Sequence, residues 1–152
     1  MKKGQVQLVR PLEDRWEGVI DRVLGQRRPG LSLRHVSRLA PQVAELSRLY
    51  NTGQARGRHT KLPIEARIAF SFPRDVPKGA GAVRECVASG ALALEPERPL
   101  RLLDLGAGLG AMTWGVCRAL AASGASGSVE ATLVDEDAAV LEGAETIARV
   151  AR

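Results

Sequence analysis

Hydrophobic positions recur at a three-and-four spacing along most of this chain, which predicts a succession of amphipathic helices. The first covers residues 11–28, where Leu12, Trp16, Val19, Ile20, Val23 and Leu24 share one face before Gly25 and Pro29-Gly30 end the run. Ser32 stands where an N-cap is needed for the next stripe: Leu33, Val36, Leu39, Ala40, Val43, Leu46 and Leu49. Pro41 interrupts that stripe, so two short helices or a kink are expected. Pro63 is placed to open a short helix through Phe70. Asp75 reads as the N-cap of another helix, over Val76 to Ser89, with Val76, Ala80, Val83 and Val87 as its stripe and Gly90 as its stop. Residues 91–99, with Pro96 and Pro99, read as a linker.

At Leu100 the pattern changes. Leu100 to Leu103 is a short apolar strand, followed by glycines 106, 108 and 110 alternating with small apolar residues. A helix over Met112 to Ala122 offers Trp114, Val116, Cys117 and Leu120 to a sheet. A Ser/Gly loop over 123–128 leads to a second strand, Val129 to Val134, closed by Asp135. Asp137 is placed to cap a final helix with the stripe Val140, Leu141, Ala144, Ile147, Ala148 and Ala151. The fold class is therefore α/β, with residues 1–99 a helical lead and residues 100–152 a β-α-β-α unit.

The composition supports a globular chain with an aliphatic core: 45% of the 152 residues are hydrophobic and only 3% aromatic. No apolar run approaches the roughly 18 residues of a membrane span, and no secretory or transit signal is present, so a cytoplasmic protein without a membrane partner is expected. Cys86 and Cys117 lack metal-ligand spacing and sit in helical patterns, which reads as buried thiols in a reducing compartment. The charge is divided unevenly. Residues 1–99 carry 18 Lys/Arg against 10 Asp/Glu, and residues 100–152 carry 4 against 7, giving +8 and −3 within a total of +5. The basic half suits a polyanionic partner, with RNA the leading candidate, and a solubilising basic face is the competing reading. Arg56, Arg58 and Lys61, in the polar, glycine-bearing stretch 51–61, are the candidate phosphate contacts; a solvated linker is the alternative there. His59 in the same stretch has no sequence partner that would make it catalytic.

The glycine run carries the chemistry. Glycines tolerate positive φ and let a ligand approach the backbone, and the N–H groups at the following helix start favour an anionic or electron-rich group. A dinucleotide fingerprint, G-x-G-x-x-G/A, is met loosely by Gly106, Gly108 and Ala111. The fuller description is Asp104-Leu105-Gly106-Ala107-Gly108-Leu109-Gly110, with a second acid, Asp135, after the next strand. This arrangement resembles the first motifs of class I S-adenosylmethionine-dependent methyltransferases. More narrowly, the run from Asp104 through Met112-Thr113-Trp114, together with Ala131 to Asp137, resembles a methyltransferase-like family associated with the small ribosomal subunit of bacteria and mitochondria. A Pro-rich helix start, Phe72-Pro73-Arg74-Asp75-Val76-Pro77, belongs to the same resemblance, which covers about residues 65–152.

The resemblance implies S-adenosylmethionine as cofactor, bound by Asp104, Leu105, Gly106, Ala107, Gly108 and Gly110, with Asp135 on the ribose hydroxyls and Glu136 beside it. Asp104 would orient the loop and the polar end of the cofactor. It implies no general base and no metal ligand among these residues. It also implies a Rossmann-like sheet of which this stretch supplies only the first two strands and two helices, so the expectation is the amino-terminal portion of a longer enzyme, inactive by itself. Three functions are compatible with the sequence. They are a methyltransferase acting on RNA or linked to small-subunit assembly, a non-catalytic ribosome-assembly module with the same fold, and a fragment of a nicotinamide-dependent oxidoreductase. The third lacks a role for Asp104, and nothing in the sequence names the methyl acceptor.

Overall fold

The computed structural model describes residues 10–52, 63–93, 98–124 and 128–152. It is mixed α/β, mostly helical, with a two-stranded parallel sheet. Helix α1 (Arg15–Arg27) buries Trp16, Val19, Ile20, Val23 and Leu24, the face its periodicity predicts. A 3-10 segment, Leu33–Leu39, runs into helix α2 (Ala40–Asn51), so the Pro41 stretch is two short helices. Ser32 occupies the cap position of that segment but forms no cap bond. Its hydroxyl pairs with His35 Nδ1 (3.2 Å), and the Leu33 N–H donates to Asp21 on α1 instead (2.6 Å). Val36, in the sequence stripe, is 40% exposed.

The largest departure lies between Pro63 and Gly90. Pro63 caps a single turn, α3 (Ile64–Ala66), which widens into a π turn (Arg67–Ser71) and continues directly as α4 (Phe72–Ala88). No helix starts at Asp75. Pro73 stands at the junction of the π turn and α4 and Pro77 lies inside the helix, so each removes a backbone donor from a helical run already under way. Phe72, Val76, Pro77 and Ala80 are buried on one stripe, and that burial offsets the hydrogen bond removed by Pro77. The Asp75 carboxylate accepts from Arg74 (2.9 and 3.0 Å) and Lys78 (2.9 Å). Partial burial pushes its pKa up, but the bonds and charges of these two cations outweigh that and hold it below the ordinary value. Gly90, at φ +75°, ends the helix as expected.

Strands β1 (Leu100–Leu105) and β2 (Val129–Val134) pair in parallel, Leu100 opposite Val129 through Leu105 opposite Val134. Helix α5 (Ala111–Ala122) crosses between them and α6 (Ala138–Ala151) follows β2. The main packing partner of α5 is α4 rather than the sheet. A Cβ on Gly115 would lie 2.7–2.8 Å from the Gly79 and Ala80 backbone, so the two helices approach to main-chain distance there. Trp114, expected to face the sheet, packs edge-on against Trp16 of α1 (centroids 5.0 Å), and Trp16 also meets Phe72 (5.6 Å). Both tryptophans and one phenylalanine of an aromatic-poor chain thus meet in one cluster, each such pair adding about 0.5–1.5 kcal/mol beyond area burial. The same core takes in Ile64, Ile68 and Val76 from the lead and Leu109, Val140 and Ile147 from the strand-bearing half. Arg118 of α5 adds a strap, donating to the carbonyls of Arg10 and Pro11 and to the Glu13 carboxylate.

Cys86 is exposed rather than buried, and Cys117 is half-buried, with burial pushing its thiol pKa up. Among the described residues no helix is long and apolar enough to cross a membrane.

Candidate functional site

The carboxyl ends of β1 and β2 lie side by side, and the glycine loop leaves from one of them. The N–H groups of Gly106 and Ala107 both donate to the Val134 carbonyl at the end of β2 (2.8 and 3.0 Å), which seats the loop against the neighbouring strand. Gly106, Gly108 and Gly110 have φ of +67°, +54° and +75°, so all three occupy the left-handed region that disfavours a side chain. Their surroundings differ. A Cβ on Gly110 would meet Leu133 at 3.0 Å, whereas one on Gly106 or Gly108 would project into open space. Gly110 therefore serves packing, and Gly106 and Gly108 leave a bare backbone surface beside the strand ends. Ala107 and Leu109 are buried, while Leu105 is 70% exposed.

The two acids flank this surface and are both engaged with the loop. Gly110 occupies the N-cap position of α5 and has no side chain to cap with. Asp104 supplies the acceptor: its Oδ2 takes the Thr113 N–H (3.2 Å) and the Thr113 hydroxyl (2.8 Å). A carboxylate at a helix start also interacts favourably with the helix dipole. Asp135 bridges two backbone amides, with Oδ2 accepting from Gly108 (2.8 Å) and Oδ1 from Asp137 (2.9 Å). Both are half-buried; Asp104 Oδ1 and both Asp135 oxygens retain lone-pair capacity toward a further donor, while Asp104 Oδ2 already accepts two bonds. Glu136 is exposed next to Asp135.

The chain has no match among protein-family models, curated proteins or solved structures.

The sequence led one to expect free amides at the start of α5 that would favour an anion. The structure corrects this at one of those donors, since the Thr113 amide is held by Asp104; in the loop before the helix the Gly108 amide is likewise held, by Asp135. A phosphate brought to those amides would displace a carboxylate and face two others, an arrangement that like charges disfavour. The open face instead suits a ligand carrying hydroxyl or ammonium donors and positive charge. Asp104, Gly106, Ala107, Gly108, Gly110, Asp135 and Glu136 are thus gathered at the paired strand ends, with Leu105 at the end of β1 itself.

Two contributors carried no functional signal in the sequence. Thr113 fixes Asp104 through both its amide and its hydroxyl. Arg67, seventy residues before Asp137, reaches that carboxylate from the π turn (3.4 Å). Asp137 itself caps α6 as expected, accepting from the Ala139 N–H (3.1 Å). Arg56, Arg58 and Lys61 lie outside the described residues.

Proposed function

We propose that this chain carries the cofactor-binding part of an S-adenosylmethionine-dependent methyltransferase, with a Rossmann-like sheet beginning at β1 and an RNA or small-ribosomal-subunit partner. The observation that carries the reading is the pairing of a bare glycine surface with carboxylates that already occupy the Gly108 amide in the loop and the Thr113 amide at the start of α5. S-adenosylmethionine matches it chemically: it has ribose hydroxyls and an ammonium to donate, a positive sulfonium, and no phosphate. A dinucleotide places its pyrophosphate on the helix-start amides, one of which, Thr113, Asp104 already holds, and this argues against the oxidoreductase alternative.

In this reading Asp135 holds the ribose hydroxyls, and Gly106 and Gly108 admit the cofactor to backbone contact. Asp104 keeps the start of α5 in register with the loop through Thr113. The bound cofactor supplies an electrophilic methyl group, and the contribution of these residues is positioning, which accounts for much of the rate in such displacements. No proton transfer is assigned to them. The RNA partner rests on the +8 charge of residues 1–99.

Calorimetric titration with S-adenosylmethionine, S-adenosylhomocysteine, NADH and inorganic pyrophosphate tests the ligand class. The first two are expected to bind in preference to the last two. Tighter binding of NADH or pyrophosphate would overturn the reading.

A further inference from the structure

The ion pair Arg67–Asp137 is buried and takes no part in the cofactor contacts proposed above. Its side chains are 11% and 10% exposed, with Nη1 to Oδ2 at 3.4 Å. Two well-packed apolar residues would serve stability there as well as a buried ion pair, because removing both charges from water is costly. What the pair provides is direction. The Asp137 carboxylate is held between Arg67 and the Ala139 amide, while the Asp137 amide donates to Asp135, whose other oxygen receives Gly108. An unbroken series of bonds therefore runs from the π turn of the helical lead, through the cap of α6, to the middle glycine of the loop. A second contact follows the same route: Ile64 of α3 and Leu109 of the loop both press on Gly143 of α6, where a Cβ would lie 2.9 and 2.7 Å from them.

We propose that Arg67 is a positioning residue for the glycine loop, acting through Asp137 and Asp135; its relevance to a cofactor rests on the reading above. Without the guanidinium, Asp137 is left as a buried carboxylate with its charge uncompensated and turns toward water. Its amide then leaves Asp135 Oδ1, and Asp135 loses one of the two bonds that aim it at Gly108. Arginine suits this place because its planar fork and weak hydration make burial beside a carboxylate less costly than for lysine.

The test reads amide exchange with water by NMR in the ligand-free chain. Arg67→Met is expected to quicken exchange at Gly108 by about ten- to a hundredfold, the scale of one hydrogen bond to a charged group. The amides of Ile20 and Val23 in the α1 core should keep their parent rates, which a general loss of stability would not allow. Arg67→Lys, which keeps the charge, should restore most of the protection. Arg67→Gln keeps a polar side chain but removes the charge that compensates Asp137, and should reproduce the Gly108 effect if Arg67→Met fails to fold. Unchanged exchange at Gly108 in a folded variant, or a uniform quickening at all amides, would overturn the proposal. Because no ligand is present, a parent chain that bound no S-adenosylmethionine would remove the functional reading and leave this result standing.

Discussion

The close approach of α4 and α5 makes Gly115→Ala an informative substitution. The added Cβ would lie 2.7 Å from the Ala80 nitrogen and 2.8 Å from two Gly79 backbone atoms, where ordinary contact begins at 3.4 Å. The helices must therefore separate by about 0.6–0.7 Å, and neither contact can be relieved by a side-chain rotation because both partners are main chain. A gap of that size forfeits a quarter to a half of the dispersion energy of each separated contact. Overpacking costs about 1–3 kcal/mol, and the backbone partners place this case near the upper end. Alanine returns about 1 kcal/mol in helix propensity, leaving a net loss of about 2 kcal/mol. For a chain of this length that lowers Tm by about 4–8 °C. Gly18→Ala is the matched control, since a Cβ there meets nothing within 4 Å on an exposed helix face. It should raise stability by about 1 kcal/mol. Thermal and urea unfolding of the two variants should thus move in opposite directions. If Gly115→Ala stabilised the chain as Gly18→Ala does, the main-chain contact between lead and strand-bearing half would be refuted.

Gly108→Val places a β-branched residue at φ +54° and fills the open side of the loop, so S-adenosylmethionine binding should be lost while circular dichroism keeps its helical signal; retained affinity would remove Gly108 from the site. Asp135→Ala should weaken the cofactor by about 1.5–3 kcal/mol in calorimetry, the scale of a hydrogen bond to a charged group. Asp104→Ala strips the start of α5 of its acceptor and should cost about 1–2 kcal/mol, read as a lower urea midpoint; an unchanged midpoint would show that Thr113 does not depend on it. Neutralising Arg56, Arg58 and Lys61 together should lower affinity for a structured RNA and flatten the salt slope by up to about three, near one per lost phosphate contact. Filter binding at several salt concentrations checks this, and an unchanged slope would make the stretch a plain linker.

Local physics made much of this fold legible in the sequence. The α1 stripe, the Val129–Val134 strand, the Asp137 cap and the Gly90 stop follow from periodicity and from turn or cap chemistry, which act over a few residues. The α4 start escapes local rules, because Asp75 has the chemistry of a cap and Pro77 that of a breaker, while the burial of Phe72, Val76 and Ala80 that outweighs both is a tertiary effect. The place of Trp114 away from the sheet is likewise hidden from local rules, because its partner, Trp16, is almost a hundred residues away. At the candidate site the residue types and spacing were visible in advance. What the sequence withheld was their hydrogen bonding, above all that Asp104 and Asp135 already hold the Thr113 and Gly108 amides, and that Arg67 reaches in from the lead.

The central claim is that the bare face of Gly106 and Gly108, between Asp104 and Asp135, receives S-adenosylmethionine. Residue-by-residue mapping of amide chemical shifts during titration with S-adenosylhomocysteine tests it most directly, because millimolar binding is sufficient for the readout and the location is read with the affinity. The shifts should concentrate at Gly106, Ala107, Gly108, Asp135 and Glu136, with NADH leaving those amides in place. Shifts confined to other parts of the chain, or a loop that responds to NADH and not to S-adenosylhomocysteine, would contradict it.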